Sequence, residues 1–287
     1  MKENRILGFA LITLAYIGAL AIGITVFNNL ATQPIYLRVL LADISATVFI
    51  YIISVLLNNA SVYDPYWSVA PIAIVVLLAI HLASFSAGVI LVLAAITYWG
   101  IRLTLNWAYN FTSFNYQDWR YVMLKEKSKK LYPIVNFLGI HLFPTIIVYL
   151  ALLPAILFIE STTQVVNVIT LIGFLFCLIA ATVQMISDLQ MHKFKNSNSE
   201  KSKYIQTGLW RYSRHPNYFG EILFWFGIFL ITIPSLLTKW YLVVGPVSVL
   251  LMFVFISIPM AEKRLLSYKE NFTEYQENVR MLLPFKK

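Results

Sequence analysis

Eight long apolar runs dominate this chain of 287 residues. A helix needs about 20 apolar residues to cross the hydrocarbon core of a bilayer. Because unpaired backbone cannot face lipid, and because the alternation of a β-strand is absent, the runs predict helices. We expect an all-α fold, a polytopic membrane helix bundle with about eight spans, or seven if a short run does not cross. The runs are Ile6–Phe27, Ile35–Leu57, Tyr66–Leu82, Ala87–Ala108, Pro133–Phe158, Val165–Leu189, Tyr218–Ile233 and Trp240–Ile258.

The composition excludes other classes of protein. Hydrophobic residues make up 59% of the chain and charged residues 12%, against about 25% charged in a globular protein. This chain has too few polar residues to cover the surface of a water-soluble globular protein of its size. An aromatic content of 15% excludes disorder, and one cysteine, Cys177, excludes a disulfide scaffold. The net charge is +9. The basic residues are explained as signals that orient the spans in the membrane and as side chains that bind phosphate, so we expect no nucleic-acid partner.

The distribution of basic residues predicts the topology. With the amino terminus inside, nearly all lysines and arginines fall in segments that face the cytoplasm, and only Arg38 and Lys239 fall at the outer face. This asymmetry obeys the positive-inside rule, so both termini are expected inside.

Ionisable residues within the runs concentrate toward the cytoplasmic side. A charged group at the bilayer centre costs about 2.5–3.5 kcal/mol, so each needs a reason. Asp64 lies at the start of the third run, whereas Asp43 lies in the outer half of the second and is assigned only a pairing with a neighbouring span.

Polar residues also recur at intervals of four within three of the runs, and residues four apart share a helix face. Interhelical hydrogen bonding explains any single polar stripe, but explains three at one end less well. The stripes are Tyr98, Arg102 and Asn106; Gln184 and Asp188, continuing to Lys195; and Asn217 with Glu221.

The segment Gly208–Glu221 reads GLWRYSRHPNYFGE and packs basic groups among aromatic ones where the chain re-enters the membrane. Pro216 fits the first position of a new helix, where its missing N–H costs nothing. The free N–H groups of that helix start, with Arg214 and His215 beside them, predict an anion site. The alternative is an interfacial belt that anchors the helix to lipid headgroups.

The tail after Ile258 is predicted to form an amphipathic helix, since Arg264, Tyr268, Phe272 and Tyr275 recur at helical intervals. Two interpretations stay open. The helix either lies on the membrane surface or folds over the cytoplasmic mouth of the bundle. In the second case, it adds Arg264, Tyr268 and Arg280 to the anion site.

GLWRYSRHPNYFGE resembles the C-terminal signature of the steroid 5-alpha-reductase-like membrane proteins, in particular their bacterial relatives of unassigned substrate. The resemblance extends to DPYWSVAP, RLTLNW, QDWRY, SDLQMHKFK and the stretch from MAEKRLL to VRMLLP, so it covers roughly Asp64 to Pro284. It implies a bundle of about seven helices, to which this chain adds one. We therefore divide the chain into accessory N-terminal spans, 1–60, and a reductase-like bundle, 61–287, that carries the cofactor site and the C-terminal helix.

The resemblance also implies an activity, the NADPH-dependent reduction of a C=C bond conjugated to a carbonyl in a lipophilic substrate. By position, the implied catalytic residues are Tyr98, Asp64 and Glu221, although Trp99 also fits the tyrosine position. The steroid enzymes have a Gln-Glu pair where this chain has Asp64, so the identity of the substrate stays open. The implied cofactor-binding residues are Gln184, Asp188, Lys195, Arg211, Arg214, His215, Asn217, Tyr218, Glu221, Arg264, Tyr268 and Arg280.

These expectations fit the physical chemistry of the chain. A basic mouth attracts the charges of NADPH, and a substrate dissolved in the membrane lipids can enter between spans. Multi-pass insertion in a bacterial inner membrane, with the site facing the cytoplasm, is the expected localisation.

Two rival functions remain. S-adenosylmethionine-dependent membrane methyltransferases of the isoprenylcysteine or phospholipid type share an Arg-His-Pro-x-Tyr turn, but usually have apolar or small residues where this chain has Asn217 and Glu221. A transporter would predict a repeat that relates two halves, and none is visible. A metal site is not expected, because no ligand spacing is present.

Overall fold

The computed structural model describes residues 4–198, 200 and 202–284. Throughout these residues the regular structure is helical and no β-strand occurs. Eight helices in this part of the chain are long and apolar enough to cross a membrane, which confirms the predicted all-α polytopic bundle. The eight candidate spans are Arg5–Asn29, Ile35–Leu57, Ala60–His81, Ala87–Asn110, Trp119–Glu160, Val168–Ser197, Pro216–Ser235 and Leu237–Leu266.

The α-helices are numbered in chain order, and some spans contain tighter or wider turns. A 3₁₀ turn, Ala60–Tyr63, begins the third span, and another 3₁₀ segment, Leu237–Val243, begins the last span. Two π-helical segments, Asn136–Leu142 and Phe253–Ser257, join neighbouring α-helices without a break. The helices are α1 (Arg5–Asn29), α2 (Ile35–Leu57), α3 (Tyr66–His81), α4 (Ala87–Asn110), α5 (Trp119–Ser128), α6 (Tyr132–Val135), α7 (Phe143–Glu160), α8 (Val168–Ser197), α9 (Pro216–Thr232), α10 (Val244–Met252), α11 (Ile258–Leu266) and α12 (Phe272–Asn278).

Local sequence signals set several helix ends. The Asn4 side chain accepts hydrogen bonds from the first backbone N–H groups of α1. Asn167 and Thr170 form a reciprocal capping box at the start of α8. Pro216 is the first residue of α9, as the sequence predicts.

The α7 span forms the centre of the bundle and α1 its periphery. Within the most apolar stretch of each span, 67% of the residues are buried in the span that contains α7, against 17% in α1. The shared core includes fully buried side chains of Trp99 and Phe224. Glycine allows α8 and α9 to approach most closely, because a Cβ atom at Gly220 would lie 2.6 Å from Gln184 Cγ. The Gln184 side chain of α8 therefore lies directly against the first turns of α9.

Hydrogen bonds hold helix ends and a loop together at one end of the bundle. The Arg5 guanidinium donates to the Ala108 carbonyl at 2.8 Å and so ties the start of α1 to the end of α4. The Trp210 indole N–H donates to the Ser187 carbonyl at 3.1 Å, which fixes the 208–215 segment against α8. We call this end of the bundle the basic end. It comprises the start of α1, the end of α4, α5, the end of α8, the start of α9 and α11–α12.

The C-terminal tail differs from the predicted continuous amphipathic helix. α11 continues the last span, and the chain then breaks before α12, where Asn271 adopts the left-handed region with φ of 54°. Because of this break, the predicted apolar face does not exist as one surface. Arg264 and Tyr268 are exposed, whereas Phe272 and Tyr275 are buried. Phe272 and Tyr275 bury one face of the short α12 against the rest of the basic end.

Candidate functional site

Three polar contacts join α4 to α8 on a line that runs toward the basic end. They arise because the stripe on α4 and the stripe on α8 each repeat at about one helical turn and face each other. The structure thus brings the two predicted stripes together. Nearest the middle of the bundle, the Tyr98 hydroxyl lies 3.1 Å from the Thr182 hydroxyl. Farther out, the Arg102 guanidinium donates to the Asp188 carboxylate at 2.8 Å and to the Gln184 amide oxygen. Nearest the basic end, the His192 ring nitrogen lies 2.8 Å from the Asn106 amide oxygen.

Arg102 is the centre of this line and is only 8% exposed. Its two terminal nitrogens bind Asp188 and Gln184, and the Asn217 side chain at the start of α9 lies close to Asp188. Two buried donors in this group, Arg102 Nε and Gln184 Nε2, lack a hydrogen-bond partner within the described chain. Buried donors are normally paired, so each of these two can still take an acceptor.

Glu221 lies beside this group and is 4% exposed. Its carboxylate oxygens accept hydrogen bonds from the indole N–H groups of Trp99 and Trp225, each at 2.9 Å. Trp99 also stacks on Phe224, with ring centroids 5.0 Å apart. Trp99, rather than Tyr98, is therefore the neighbour of Glu221 on α4. Each carboxylate oxygen has a second lone pair for a ligand donor.

The structure separates the predicted catalytic pair Tyr98 and Asp64. The Ser68 hydroxyl meets the Thr104 hydroxyl at 2.8 Å and sets the register of the antiparallel helices α3 and α4. At 1.5 Å per residue, Asp64 is then about 15 Å from Tyr98 along the bundle, so the two cannot polarise one carbonyl. Asp64 instead accepts a hydrogen bond of 2.6 Å from the Tyr121 hydroxyl.

Tyr121 lies in the QDWRY segment, for which no chemical role was predicted. The segment begins α5 because the Asp118 side chain caps the helix through the Arg120 N–H, and its carboxylate also binds the Arg120 guanidinium at 2.8 Å. Nothing in the spacing of the sequence predicts that α5 returns to the start of α3. Its partner Asp64 is 57 residues away.

Arg214 and His215 require a correction. Both bind the Glu262 carboxylate of α11, Arg214 Nε at 2.7 Å and His215 Nε2 at 2.9 Å. Arg214 also donates to the backbone carbonyls of Gln276 and Val279. Their polar atoms are thus directed to the tail and not to a free anion. We call Arg214, His215 and Glu262 the tail clasp.

The remaining predicted basic residues lie at the surface of the basic end. Arg264 stacks on the Trp119 ring, with its guanidinium carbon 4.4 Å from the ring centroid. Burial lowers the pKa of Lys269, and the nearby charge of Lys195 lowers it further, which indicates a positive potential. Among the described residues, none of the predicted surface cations takes part in an ion pair. The exposed predicted ligands are Lys195, Arg211, Arg264, Tyr268 and Arg280.

The Tyr218 ring lies at the junction of the site and the tail clasp. It stacks parallel to the His215 ring at 5.3 Å and packs on Phe253 at 4.6 Å. Tyr218 therefore joins the start of α9 to the last span. In the part of the chain that the structure describes, no three His, Cys, Asp or Glu side chains group closely enough to hold a metal ion.

A bundle of eight candidate spans with a buried, arginine-centred polar site near one end defines a polytopic α-helical membrane protein. The chain belongs to the family DUF1295, described as a protein of unknown function, whose model matches residues 50–279. This family is related to the steroid 5-alpha-reductase-like proteins, which agrees with the resemblance of the motifs at the family level.

The chain is also similar to an uncharacterized protein of the fission yeast Schizosaccharomyces pombe. The two are 27% identical over 231 residues, which cover 69% of this chain and 64% of the yeast protein. This chain therefore matches somewhat less than two thirds of the length of that relative. No solved structure matches the chain.

Proposed function

We propose that this protein is a membrane-embedded reductase that uses NADPH to reduce a C=C bond conjugated to a carbonyl in a lipophilic substrate. The observation that carries the proposal is the pair of buried, unpartnered donors, Arg102 Nε and Gln184 Nε2. The relation of the family to steroid 5-alpha-reductase-like proteins supports the same reaction class.

The residues of the site fit a dinucleotide. The unpartnered donors suit a neutral oxygen acceptor, such as the carboxamide of a nicotinamide, and Asn217 and Glu221 add polar contacts at the same place. The exposed cations Lys195, Arg211, Arg264 and Arg280 suit the phosphates, since phosphate recognition relies on Arg and Lys donors. NADPH, when bound, supplies the hydride.

Tyr98 is the residue that we assign to the substrate carbonyl. It lies one turn from Arg102 on the same face of α4, a rise of about 6 Å, so a nicotinamide at Arg102 and a carbonyl at Tyr98 would be neighbours. Hydride addition places negative charge on the carbonyl oxygen. A hydrogen bond from the Tyr98 hydroxyl would stabilise that charge in a site sheltered from water by Trp99 and Trp225.

Reconstituted protein tests this proposal through the consumption of NADPH with added cyclic enones. The Tyr98→Phe variant should keep the affinity for NADPH and slow reduction by about 10²–10³, the usual cost of removing one donor to an oxyanion. Tyr36→Phe, in which the hydroxyl of an exposed tyrosine at the other end of the bundle is removed, should behave as wild type. Unaltered kinetics in Tyr98→Phe would refute the role of Tyr98, and no enone-dependent NADPH consumption would refute the activity.

Glu221→Ala should abolish NADPH-dependent turnover, because it removes the acceptor of two indole N–H groups beside the donor pair. Elution of the variant as a single species in detergent would show that it still folds. Turnover at the wild-type rate would remove Glu221 from the site.

We also propose that the basic end faces the cytoplasm of a bacterium whose inner membrane holds the protein. The concentration of Lys and Arg at this end supports that orientation. A reporter enzyme fused to the carboxyl terminus, active only in the cytoplasm, should be active, and a silent reporter with normal insertion would reverse the orientation.

A further inference from the structure

One arginine is buried at the end of the bundle opposite to the basic end. Arg38 lies in the first turns of α2 and is 9% exposed. Its Nε donates to the Phe27 carbonyl at 3.1 Å, and its guanidinium carbon lies 3.8 Å from the centroid of the Phe27 ring. These contacts hold the arginine between the end of α1 and the start of α2.

The charge of Arg38 has no partner of opposite sign within residues 4–198, 200 and 202–284. No ion pair there includes it, and Asp43, the acidic residue of the same helix, accepts a hydrogen bond from Tyr66 instead. The terminal nitrogens of Arg38, Nη1 and Nη2, make no hydrogen bond to these residues and are not sealed from the surface. Because a guanidinium presents parallel N–H groups to phosphates and carboxylates, Arg38 can still take an anion.

A histidine of α3 borders the same place. The His81 ring meets the Phe27 ring edge to face, with the two centroids 5.1 Å apart. His81 is exposed, and its ring makes no hydrogen bond to the described residues. An imidazole N–H donates to an anion whether the ring is neutral or charged. Arg38 and His81 thus border one small area of the surface through their shared contact with Phe27.

Exposed apolar side chains lie next to this area, on its side toward the middle of the bilayer. Ile24 lies one turn before Phe27 on α1, and Leu77 lies one turn before His81 on α3, so each shares a helix face with its neighbour. Both side chains are exposed, by 40% and 37%. A ligand that places an anionic group at Arg38 can therefore lay hydrocarbon over Ile24 and Leu77, which a free anion would not use.

We propose that Arg38 and His81 bind the phosphate of a glycerophospholipid from the leaflet at this end of the bundle. Arg38 supplies the charge and two N–H groups, His81 supplies a further N–H group, and the acyl chains lie over Ile24 and Leu77. The lipid balances the buried charge of Arg38 and joins α1, α2 and α3. The site is separate from the Arg102 group and does not depend on the proposed reductase activity.

A cap at the end of α1 does not explain Arg38 as well. An uncharged side chain with one N–H group could donate to the Phe27 carbonyl, whereas a charge within a span is costly unless it is paired. An arginine that only reached for water would extend its charged group into the water. Arg38 is instead nearly buried, so an anion that comes with the membrane is the better partner.

Native mass spectrometry of the full-length protein in detergent, with dioleoylphosphatidylglycerol added, tests the site. One lipid should remain bound to the wild type. Arg38→Gln keeps an N–H donor for the Phe27 carbonyl but removes the charge, so lipid affinity should fall about tenfold or more. Arg38→Lys keeps the charge and should bind the lipid more tightly than Arg38→Gln. Wild-type affinity in Arg38→Gln, or equal affinity in the two variants, would overturn the proposal.

His81→Gln changes an exposed side chain and so tests the site without disturbing the core. It should weaken lipid binding by a smaller factor than Arg38→Gln, and unchanged binding would remove His81 from the site. The matched control is Lys239→Gln, because Lys239 is the other basic residue predicted at this face, and it should keep the lipid bound. An equal loss in Lys239→Gln and Arg38→Gln would show a diffuse effect of surface charge and overturn the site.

Two competitors identify the part of the lipid that is bound. Dioleoylglycerol has the same acyl chains without the phosphate and should not displace dioleoylphosphatidylglycerol. Inorganic phosphate at the same concentration lacks the acyl chains and should not displace it either. Displacement by dioleoylglycerol would overturn the role of Arg38, and displacement by inorganic phosphate would assign the site to a free anion and overturn the lipid.

Discussion

Replacement of Glu262 by alanine should release the C-terminal tail. The Glu262 carboxylate holds Arg214 and His215 in the tail clasp and also accepts a hydrogen bond of 2.6 Å from Gln276 of α12. The Arg214 and Glu262 side chains are 10% and 11% exposed, so their interaction is little screened by water. Removal of one partner of such a buried pair costs about 3–5 kcal/mol. Since about 1.4 kcal/mol corresponds to a factor of ten, the population with an open tail should rise by roughly 10²–10⁴.

Hydrogen–deuterium exchange of the α12 amides measures this opening directly. In Glu262→Ala, exchange at Tyr275 and Val279 should accelerate, while α7 in the core keeps its protection. Glu277→Ala removes an exposed carboxylate from the same tail and should leave exchange unchanged. Equal protection of α12 in wild type and Glu262→Ala would contradict the role of the tail clasp.

Three further predictions concern the site and its support. Arg102→Lys keeps a positive charge near Asp188 but loses the planar guanidinium group and its Nε donor. NADPH affinity measured by calorimetry should therefore fall at least about tenfold, or about 1.4 kcal/mol. The control Arg38→Lys, at the other end of the bundle, should leave the affinity unchanged. Gly220→Leu should lower the thermal unfolding temperature in detergent, because a Cβ atom there already meets Gln184 Cγ at 2.6 Å and overpacking costs about 1–3 kcal/mol, whereas Gly139→Ala enters open space. Affinity for NADPH should weaken as salt rises from about 0.01 to 0.15 M, since the Debye length falls from about 30 to 8 Å. An affinity that does not change with salt would show that the exposed cations of the basic end do not bind the phosphates of NADPH.

The spans follow from the sequence because length and hydropathy are local properties. The second run, Ile35–Leu57, coincides with α2, and Pro216 marks the first residue of α9. That each polar stripe lies on one face of its helix was also predictable, since residues four apart share a face, but the contact between the α4 and α8 stripes was not. The broken tail was not, because Asn271 in the left-handed region interrupts a pattern that continues in the sequence.

Partners that are distant along the chain could not be predicted. The Glu262 carboxylate is 48 residues from Arg214, and nothing in the GLWRYSRHPNYFGE segment indicates that its cation is already neutralised. The choice between Tyr98 and Trp99 depends on the rotation of α4 against α9, which periodicity leaves open. Asp43 was expected to pair with a neighbouring span, and the structure supplies the partner, Tyr66 of α3.

The most direct measurement is calorimetry of the purified protein in detergent, with NADPH and S-adenosylmethionine titrated separately. The arginine-centred site should take up the nicotinamide dinucleotide in a one-to-one complex and give no heat with the methyl donor, and Arg102→Lys should weaken that complex. Uptake of S-adenosylmethionine without NADPH would contradict the assignment and favour a methyltransferase.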